Sequence, residues 1–243
     1  MIELTFKGKP LPAYEAQPVG KPKGGLIVIH EVWGLVDHTK DVADRFAKAG
    51  YVVVAPDLLS ETGITAELIG SLQEELFDPE RRAKAQPKLR ELMAPMQAPG
   101  FGEDTLMKLM HCYDYLYEQA DVGEHIGVVG HCFGGTYCYS LAVNEPGLKA
   151  AVPYYGHAEG LSSEELGKIN CPILAFYGEK DVSLITTLPE LKANMAAAGV
   201  DYTAKVYAGV GHAFFNDTNK FTYNKSVADD AWKLTLAFLS DNL

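Results

Sequence analysis

The sequence has few cysteines and no excess of positive charge. The first argues against a disulfide-rich protein, and the second against a protein that binds nucleic acid or anionic membranes. Only four cysteines occur in 243 residues, namely Cys112, Cys132, Cys138 and Cys171, and none forms a C-x-x-C pair. Neither a disulfide framework nor a zinc knuckle is therefore predicted. The 21 basic and 32 acidic residues give a formal charge of −11, which disfavours nucleic-acid and anionic membrane partners. We expect a small-molecule substrate.

Long apolar runs and metal-ligand spacings are also missing. No stretch approaches the roughly 18 residues that cross a bilayer, and the start, MIELTFKGKP, lacks the basic and apolar regions of a secretory signal. The seven histidines show no H-x-H or H-x-x-x-H spacing beside carboxylates, so no metal site is predicted. With 47% hydrophobic and 22% charged residues, we expect a soluble, cytoplasmic chain that folds as one domain over residues 1–243.

What the sequence does contain is an alternation of short apolar runs and amphipathic stretches. Six runs read as strands buried on both faces: Gly25–His30, Tyr51–Leu58, His125–Gly130, Ala150–Gly156, Pro172–Gly178 and Thr203–Gly209. Four stretches predict helices: Asp37–Lys48, Asp104–Gln119, Leu188–Ala198 and Ser226–Leu239, the last with Ser226 and Asp229 as a capping box. The order predicts an α/β fold, with a mostly parallel sheet covered by helices on both faces and an antiparallel hairpin or edge strand before it.

The alternation loosens at about residues 60–102. This polar segment contains methionine and proline, and its helical pieces have no strand between them. We expect it to form a short helical wall or lid at an active site.

The most informative motif is VVGHCFGGTYC, residues 128–138, where three glycines surround Cys132. A strand, then Gly130, Cys132 and Gly134, then a helix, matches the nucleophile elbow G-x-S-x-G with cysteine in the serine position. A dinucleotide loop or a simple tight turn are the alternatives, but the first βα turn reads HEVWGL rather than G-x-G-x-x-G. An elbow holds its nucleophile at a helix N-terminus, which favours a thiolate.

An elbow also predicts its partners in chain order, an acid after a later strand and then a histidine. Asp181 follows the strand that ends in GEKDV, and His212 follows the next strand in GVGHAFF. Either residue alone could be a helix cap or a surface residue, but their order favours a triad. His30 and His131 are interpreted as neighbours of the site with satisfied hydrogen bonds rather than as bases, and the three other cysteines as packing residues.

Six segments, HEVWGL, APDLL, GHCFGG, YYG, GEKDV and GHAFF, in this order and across almost the whole chain, resemble the dienelactone hydrolase family of α/β-hydrolases. The resemblance implies a catalytic triad of Cys132, Asp181 and His212 and no metal or organic cofactor. It also implies that Glu31 is a fourth member, which binds the resting thiol and helps to generate the thiolate; a loop-capping role is the alternative for Glu31. The oxyanion hole would be the backbone N–H groups of Val32 and Phe133.

The same resemblance concerns substrate binding. Family members that act on dienelactone bind its carboxylate with an arginine shortly after the histidine, where this chain has Asn216, and Ala213 replaces a hydroxyl residue. Arg81 or Arg82 could supply a second arginine contact, although a solvated helix face explains two adjacent arginines equally well. The aromatic residues Trp33, Phe133, Tyr155 and Phe214 are expected to line an apolar pocket.

The sequence therefore predicts a cysteine-dependent hydrolase of small lactones or short esters that forms an acyl-thioester at Cys132. It leaves open whether the protein is a monomer or a homodimer. One alternative is a non-catalytic protein of this fold with a redox-sensitive thiol at Cys132. Another is a thiol acyltransferase or peptidase, which would need a larger cleft.

Overall fold

The computed structural model describes residues 1–64, 66–78, 80–158 and 160–243, and an eight-stranded sheet lies at its centre. The strands are β1 (Ile2–Phe6), β2 (Lys9–Ala16), β3 (Gly24–Ile29), β4 (Tyr51–Pro56), β5 (Ile126–His131), β6 (Ala150–Tyr154), β7 (Ile173–Gly178) and β8 (Tyr202–Tyr207). Their order is β1-β2-β4-β3-β5-β6-β7-β8. The β1–β2 hairpin is antiparallel and β3 to β8 run parallel. This confirms the expected α/β fold and the antiparallel edge.

Helices cover both faces of the sheet. They are α1 (Asp37–Lys48), α2 (Ala66–Phe77), α3 (Arg82–Leu92), α4 (Phe101–Tyr117), α5 (Phe133–Asn144), α6 (Ser163–Leu166), α7 (Val182–Ala197) and α8 (Lys225–Asn242), with a 3₁₀ turn at Ala94–Gln97. Alternate residues of β3 enter opposite cores because side chains along a strand alternate between faces. Leu26 and Val28 pack with α1 and α8, whereas Ile27 and Ile29 pack with α4 and α5.

The expected boundaries of three helices were wrong. Helix α4 begins at Phe101, three residues before the expected start at Asp104, and ends at Tyr117. Helix α7 begins at Val182, six residues before the expected start, and contains Pro189 in its interior, a position where proline is normally disfavoured. Helix α8 has no capping box at Ser226. Its N-cap is Asn224, whose side chain accepts a hydrogen bond from the Val227 N–H, because Asp229 pairs with Lys225 instead.

The topology determines where the polar motif residues meet. Four parallel strands, β3, β5, β7 and β8, end immediately before the loops or helix starts that carry Glu31, Cys132, Asp181 and His212. Since the carboxyl ends of parallel strands lie along one edge of a sheet, these residues come together there. Within the described part of the chain, none of the helices has the length and hydropathy of a membrane span.

Candidate active site

The backbone at the elbow is strained, and close packing holds it in that conformation. Cys132, the N-cap of α5, has φ 55° and ψ −113°, a conformation that residues with a Cβ rarely adopt. The flanking glycines permit the turn. A Cβ on Gly130 would lie 2.2 Å from the Gly134 carbonyl oxygen, and one on Gly134 would lie 2.3 Å from the Ile29 oxygen. The turn is therefore too tight for side chains at either glycine.

Asp181 and His212 form the hydrogen-bonded pair that a triad requires. Asp181 Oδ2 is bonded to His212 Nδ1, and its other oxygen accepts a hydrogen bond of 3.1 Å from Ser183 Oγ. Burial would raise the pKa of Asp181, but the bonds from His212 and Ser183 hold it below its usual value. An ionised Asp181 fixes the proton on Nδ1 and leaves Nε2 to exchange protons with a nucleophile or leaving group.

The pKa of His212 lies well above its usual value. Burial lowers it, but the adjacent Cys132 sulfur and the Asp181 carboxylate together outweigh burial. The two interactions favour an imidazolium beside the thiol, which is the charge state that pairs with a thiolate.

Glu31 lies two residues beyond the end of β3, is 4% exposed and lines the same cavity as Cys132. Its backbone is held by His30. The Leu58 N–H donates to His30 Nε2 at 3.1 Å, so Nδ1 carries the ring proton and donates to the Glu31 carbonyl oxygen at 2.6 Å. Burial lowers the pKa of His30, so the ring stays neutral. His30 is thus the satisfied neighbour that the sequence indicated.

The side chain of Asn216 is buried at the site. It is 1% exposed, and its Nδ2 donates to Glu31 Oε2 at 2.6 Å. The other carboxylate oxygen, Glu31 Oε1, has no hydrogen-bond partner among the described residues. Asn216 therefore contacts Glu31 rather than facing open solvent.

A cavity of about 440 Å³ opens over these groups. Its lining includes Glu31, Val32, Trp33, Leu76, Phe77, Arg82, Gln86, Leu89, Cys132, Lys180, Asp181, His212, Asn219 and Thr222. Helices α2 and α3 form one wall, where the sequence predicted a helical segment. Lys180, Asn219 and Thr222 were not anticipated, although Lys180 lies beside Asp181 in the GEKDV segment.

The two adjacent arginines differ in position. Arg82 lines the cavity, and its Nε donates to the Leu76 carbonyl oxygen at 2.9 Å. Arg81 is exposed, and its Nε pairs with Asp78 at 2.7 Å. The two arginines differ because successive residues at the start of a helix point in different directions. Arg81 is thus the solvated arginine and does not line the site.

The structure corrects the expected pocket lining at three aromatic residues. Trp33 does line the cavity, but Tyr155 and Phe214 are fully buried beneath it, each 0% exposed, and neither is a lining residue. Their rings stack edge to face at 5.3 Å. Phe133 stacks on His30 at 5.6 Å instead of lining the cavity. The motifs carry no information on depth, so they cannot distinguish the buried rings of Tyr155 and Phe214 from residues of the cavity wall.

The backbone groups expected to form the oxyanion hole lie near the elbow. Phe133 is the first residue of α5, so its N–H has no acceptor within the helix. Val32 lines the cavity on the loop after β3. Both positions fit a backbone donor role, which remains a prediction.

The remaining thiols and His131 are buried away from solvent. All four cysteines are free, and burial raises the pKa of Cys112 and Cys171 to about 12. His131 packs between Tyr154 and Phe215, and burial, with His38 and Arg45 nearby, lowers its pKa to about 3. Its Nε2 has no hydrogen-bond partner among the described residues, so the expectation of satisfied hydrogen bonds was wrong for this ring. Among the described residues no cluster of three or more metal-binding side chains occurs.

Comparison with known proteins gives matches along nearly the whole chain. A model of the dienelactone hydrolase family matches residues 11–243. A protein named "Putative carboxymethylenebutenolidase" from Saccharolobus solfataricus is 30% identical, over 96% of this chain and 94% of that protein. "Protein usf" from Aquifex pyrophilus is 32% identical, over 100% of this chain and 98% of that protein. The crystal structure of a dienelactone hydrolase from Anabaena variabilis has a TM-score of 0.71 at 15% identity, covering 100% of this chain and 96% of that one.

Proposed function

The chain belongs to the dienelactone hydrolase family and is a lactone or ester hydrolase, and within this class we propose that Cys132 is its nucleophile in a Cys132–His212–Asp181 triad. One observation carries the proposal: the strained elbow places Cys132 in the same cavity as the hydrogen-bonded Asp181–His212 pair. The groups needed for covalent acyl transfer thus face one space.

The proposed reaction has two steps. The S–H proton of Cys132 passes to Glu31, the sulfur bonds to the carbonyl carbon, and the C–O bond to the leaving alcohol breaks while His212 donates a proton to that oxygen. Water then attacks the thioester with His212 as general base, which releases the acid, and the Cys132 thiolate takes its proton back from Glu31. In a lactone, both products are parts of one molecule. Backbone N–H groups of Val32 and Phe133 would stabilise the oxyanion in each step.

Glu31 and Arg82 have separate proposed tasks. Glu31 is a buried carboxylate in the same cavity and would accept the thiol proton when substrate binds. Besides His212, the described lining residues include the cationic side chains Arg82 and Lys180, which would attract a polar or anionic group of the substrate. The cavity volume of about 440 Å³ fits a small lactone or short ester better than a peptide.

The test is hydrolysis of p-nitrophenyl acetate by the wild type and Cys132→Ala, with intact-protein mass spectra recorded during turnover. We expect kcat/KM to fall about 10³-fold or more in Cys132→Ala, and a transient acetyl adduct to form only in the wild type. Cys171→Ala is the matched control, because Cys171 is a buried thiol in one core cluster whereas Cys132 packs against the other. It should keep its activity.

Contrary outcomes have distinct meanings. Equal rates in the wild type and Cys132→Ala would remove the thiol from the mechanism. A permanent acetyl adduct without turnover would instead favour the alternative of a reactive, redox-sensitive thiol. That alternative is kept because Cys132 is the one partly exposed cysteine of the four.

A further inference from the structure

Asn216 donates a hydrogen bond to Glu31 inside the protein. Its Nδ2 donates to Oε2 at 2.6 Å, and both side chains are almost fully buried. An ionised carboxylate in such a position needs donors, because burial strongly favours its neutral form. The contact therefore bears directly on the charge and direction of Glu31.

Thr218 fixes which end of the Asn216 amide faces Glu31. The Asn216 Oδ1 atom accepts two hydrogen bonds from Thr218, one from its backbone N–H at 3.0 Å and one from Oγ1 at 2.6 Å. Since two donors converge on this atom, it must be the oxygen, and the NH₂ group must face the carboxylate. The amide can only donate to Glu31.

The buried hydroxyl of Tyr155 lies beside the Glu31 carboxylate. Neither this hydroxyl nor Glu31 Oε1 makes a hydrogen bond of regular length and angle among the described residues. Burial raises the pKa of Tyr155, and the charges of Glu31 and Cys132 and a polar contact with the Glu31 side chain raise it further. The other titratable groups that line the cavity are Arg82, Lys180, Asp181 and His212.

We propose that Asn216, fixed by Thr218, is a positioning residue that holds Oε2 of Glu31 and thereby sets the direction of the carboxylate that receives the Cys132 proton. This inference rests on the proposed function of Cys132. In the step it supports, the S–H bond breaks, its electron pair stays on sulfur, and the proton bonds to the Glu31 carboxylate. Because Asn216 is neutral, Glu31 is held without an ion pair that protonation would have to break, unlike a carboxylate held by an arginine.

The test uses variants that change the hydrogen bond from Asn216 to Glu31 but keep a side chain of similar size at each position. Asn216→Asp has the same shape but puts a second carboxylate against Glu31, and two such groups share a proton. Because a proton is then already shared by the two carboxylates, Glu31 becomes a weaker acceptor for the thiol proton. Thr218→Val removes one of the two donors to Oδ1, whereas Thr218→Ser retains both and is the conservative rescue.

The readout is the rate of Cys132 alkylation by iodoacetamide from pH 5 to 10, followed by intact mass, together with kcat and KM for p-nitrophenyl acetate. In Asn216→Asp we expect the alkylation profile to move at least one pH unit higher and kcat to fall about 10-fold or more, with KM little changed. Thr218→Val should shift in the same direction by a smaller amount, and Thr218→Ser should match the wild type.

Asn224→Ala is the matched control. Asn224 caps α8 through its own side chain, so its loss should lower Tm by a few degrees without moving the alkylation profile. If Asn216→Asp and Thr218→Val behave in this way, Asn216 is merely structural and the proposal is overturned.

Alkylation also separates this inference from the proposed function, since it needs no turnover. A shifted alkylation profile in a protein whose wild type hydrolyses no ester would support the role of Asn216 and overturn the hydrolase mechanism. Normal ester hydrolysis by the wild type, with unshifted alkylation profiles in Asn216→Asp and Thr218→Val, would support the hydrolase mechanism and overturn the role of Asn216.

Discussion

The elbow and the helical wall face each other across one cavity, but they are packed in different ways. At the elbow, Gly130, Gly134 and the carbonyl of Ile29 approach so closely that no Cβ fits. In the wall, α3 buries only Ala85 among its eleven residues, and α2 and α3 join small satellite clusters around Trp33 rather than the two main cores. One side of the site is set by backbone contact and the other by a few side chains.

This difference suggests a division of tasks. Covalent chemistry needs the nucleophile and its partners held within fractions of an ångström, which close backbone packing provides. Substrate selection tolerates a less tightly packed surface, because one cation or aromatic ring can be exchanged without disturbing the sheet. We expect changes at the elbow to affect stability and rate together, and changes in the wall to affect mainly substrate affinity.

The largest contrast should come from the same substitution in the two regions. In Gly134→Ala, the new Cβ would lie 2.3 Å from the Ile29 oxygen, so backbone must move, at about 3 kcal/mol or more of stability. The folded fraction should lose kcat/KM by about 100-fold or more, since the elbow is displaced. Thermal unfolding and p-nitrophenyl acetate hydrolysis measure both effects.

Gly70→Ala is the matched change in the wall. Gly70 lies in α2, and a Cβ there meets nothing within 4 Å. Alanine is the better helix former, so stability should rise by about 0.5–1 kcal/mol with activity unchanged. Similar losses in both variants would show that the two regions are equally constrained.

A smaller contrast should separate the two arginines of the wall. Arg82→Ala removes a cation from the cavity lining, so KM should rise about 10-fold, or 1.4 kcal/mol, for a p-nitrophenyl ester that carries a free carboxylate. The KM for p-nitrophenyl acetate should change much less. Arg81→Ala, which removes an exposed partner of Asp78, should leave both KM values unchanged. If both variants lose affinity equally, the effect belongs to the segment and not to the cavity.

The same division explains what the sequence could predict. Strand positions and the order of Cys132, Asp181 and His212 follow from local patterns, because parallel topology then brings the strand ends together without further information. Whether Arg81 or Arg82 faces the cavity depends on where α3 begins, and packing of the wall decides this. The Asn216–Glu31 contact joins residues 185 positions apart through a loop with no motif of its own.

The sequence also did not predict which aromatic residues near the site are buried beneath the cavity. Tyr155 follows β6 and has a positive φ of 40°, which sequence propensity gives no reason to expect. The burial of Phe214 depends on its packing against Tyr155 and Tyr207, which lie on separate parts of the chain. The chemistry could thus be located from the strand ends, whereas the layer beneath it depended on tertiary packing.

The smallest expected difference concerns two carboxylates, one beside the site and one in the wall, at acidic pH. Asp217 follows Asn216 and is bonded to His38 and Arg45, which hold its pKa below the usual value despite partial burial. The folded pKa is thus below the unfolded pKa of about 3.9. This stabilisation is complete above about pH 4 and is lost as pH falls through the folded value. Asp217→Asn should cost about 1–2 kcal/mol at pH 7.

Asp78 is the counterpart in the wall. Its pKa is lowered in the same direction by Arg81, but the pair is exposed to solvent and solvent screening weakens it. Urea unfolding at pH 7, 5, 4, 3 and 2.5 should show the stability gap between Asp217→Asn and the wild type closing toward the lowest pH, while Asp78→Asn follows the wild type throughout. A constant gap for Asp217→Asn would mean that the loop depends on the shape of this side chain and not on its charge. The closely packed side of the site and the loosely packed helical wall would then differ in packing geometry and not in the contribution of charged pairs to stability.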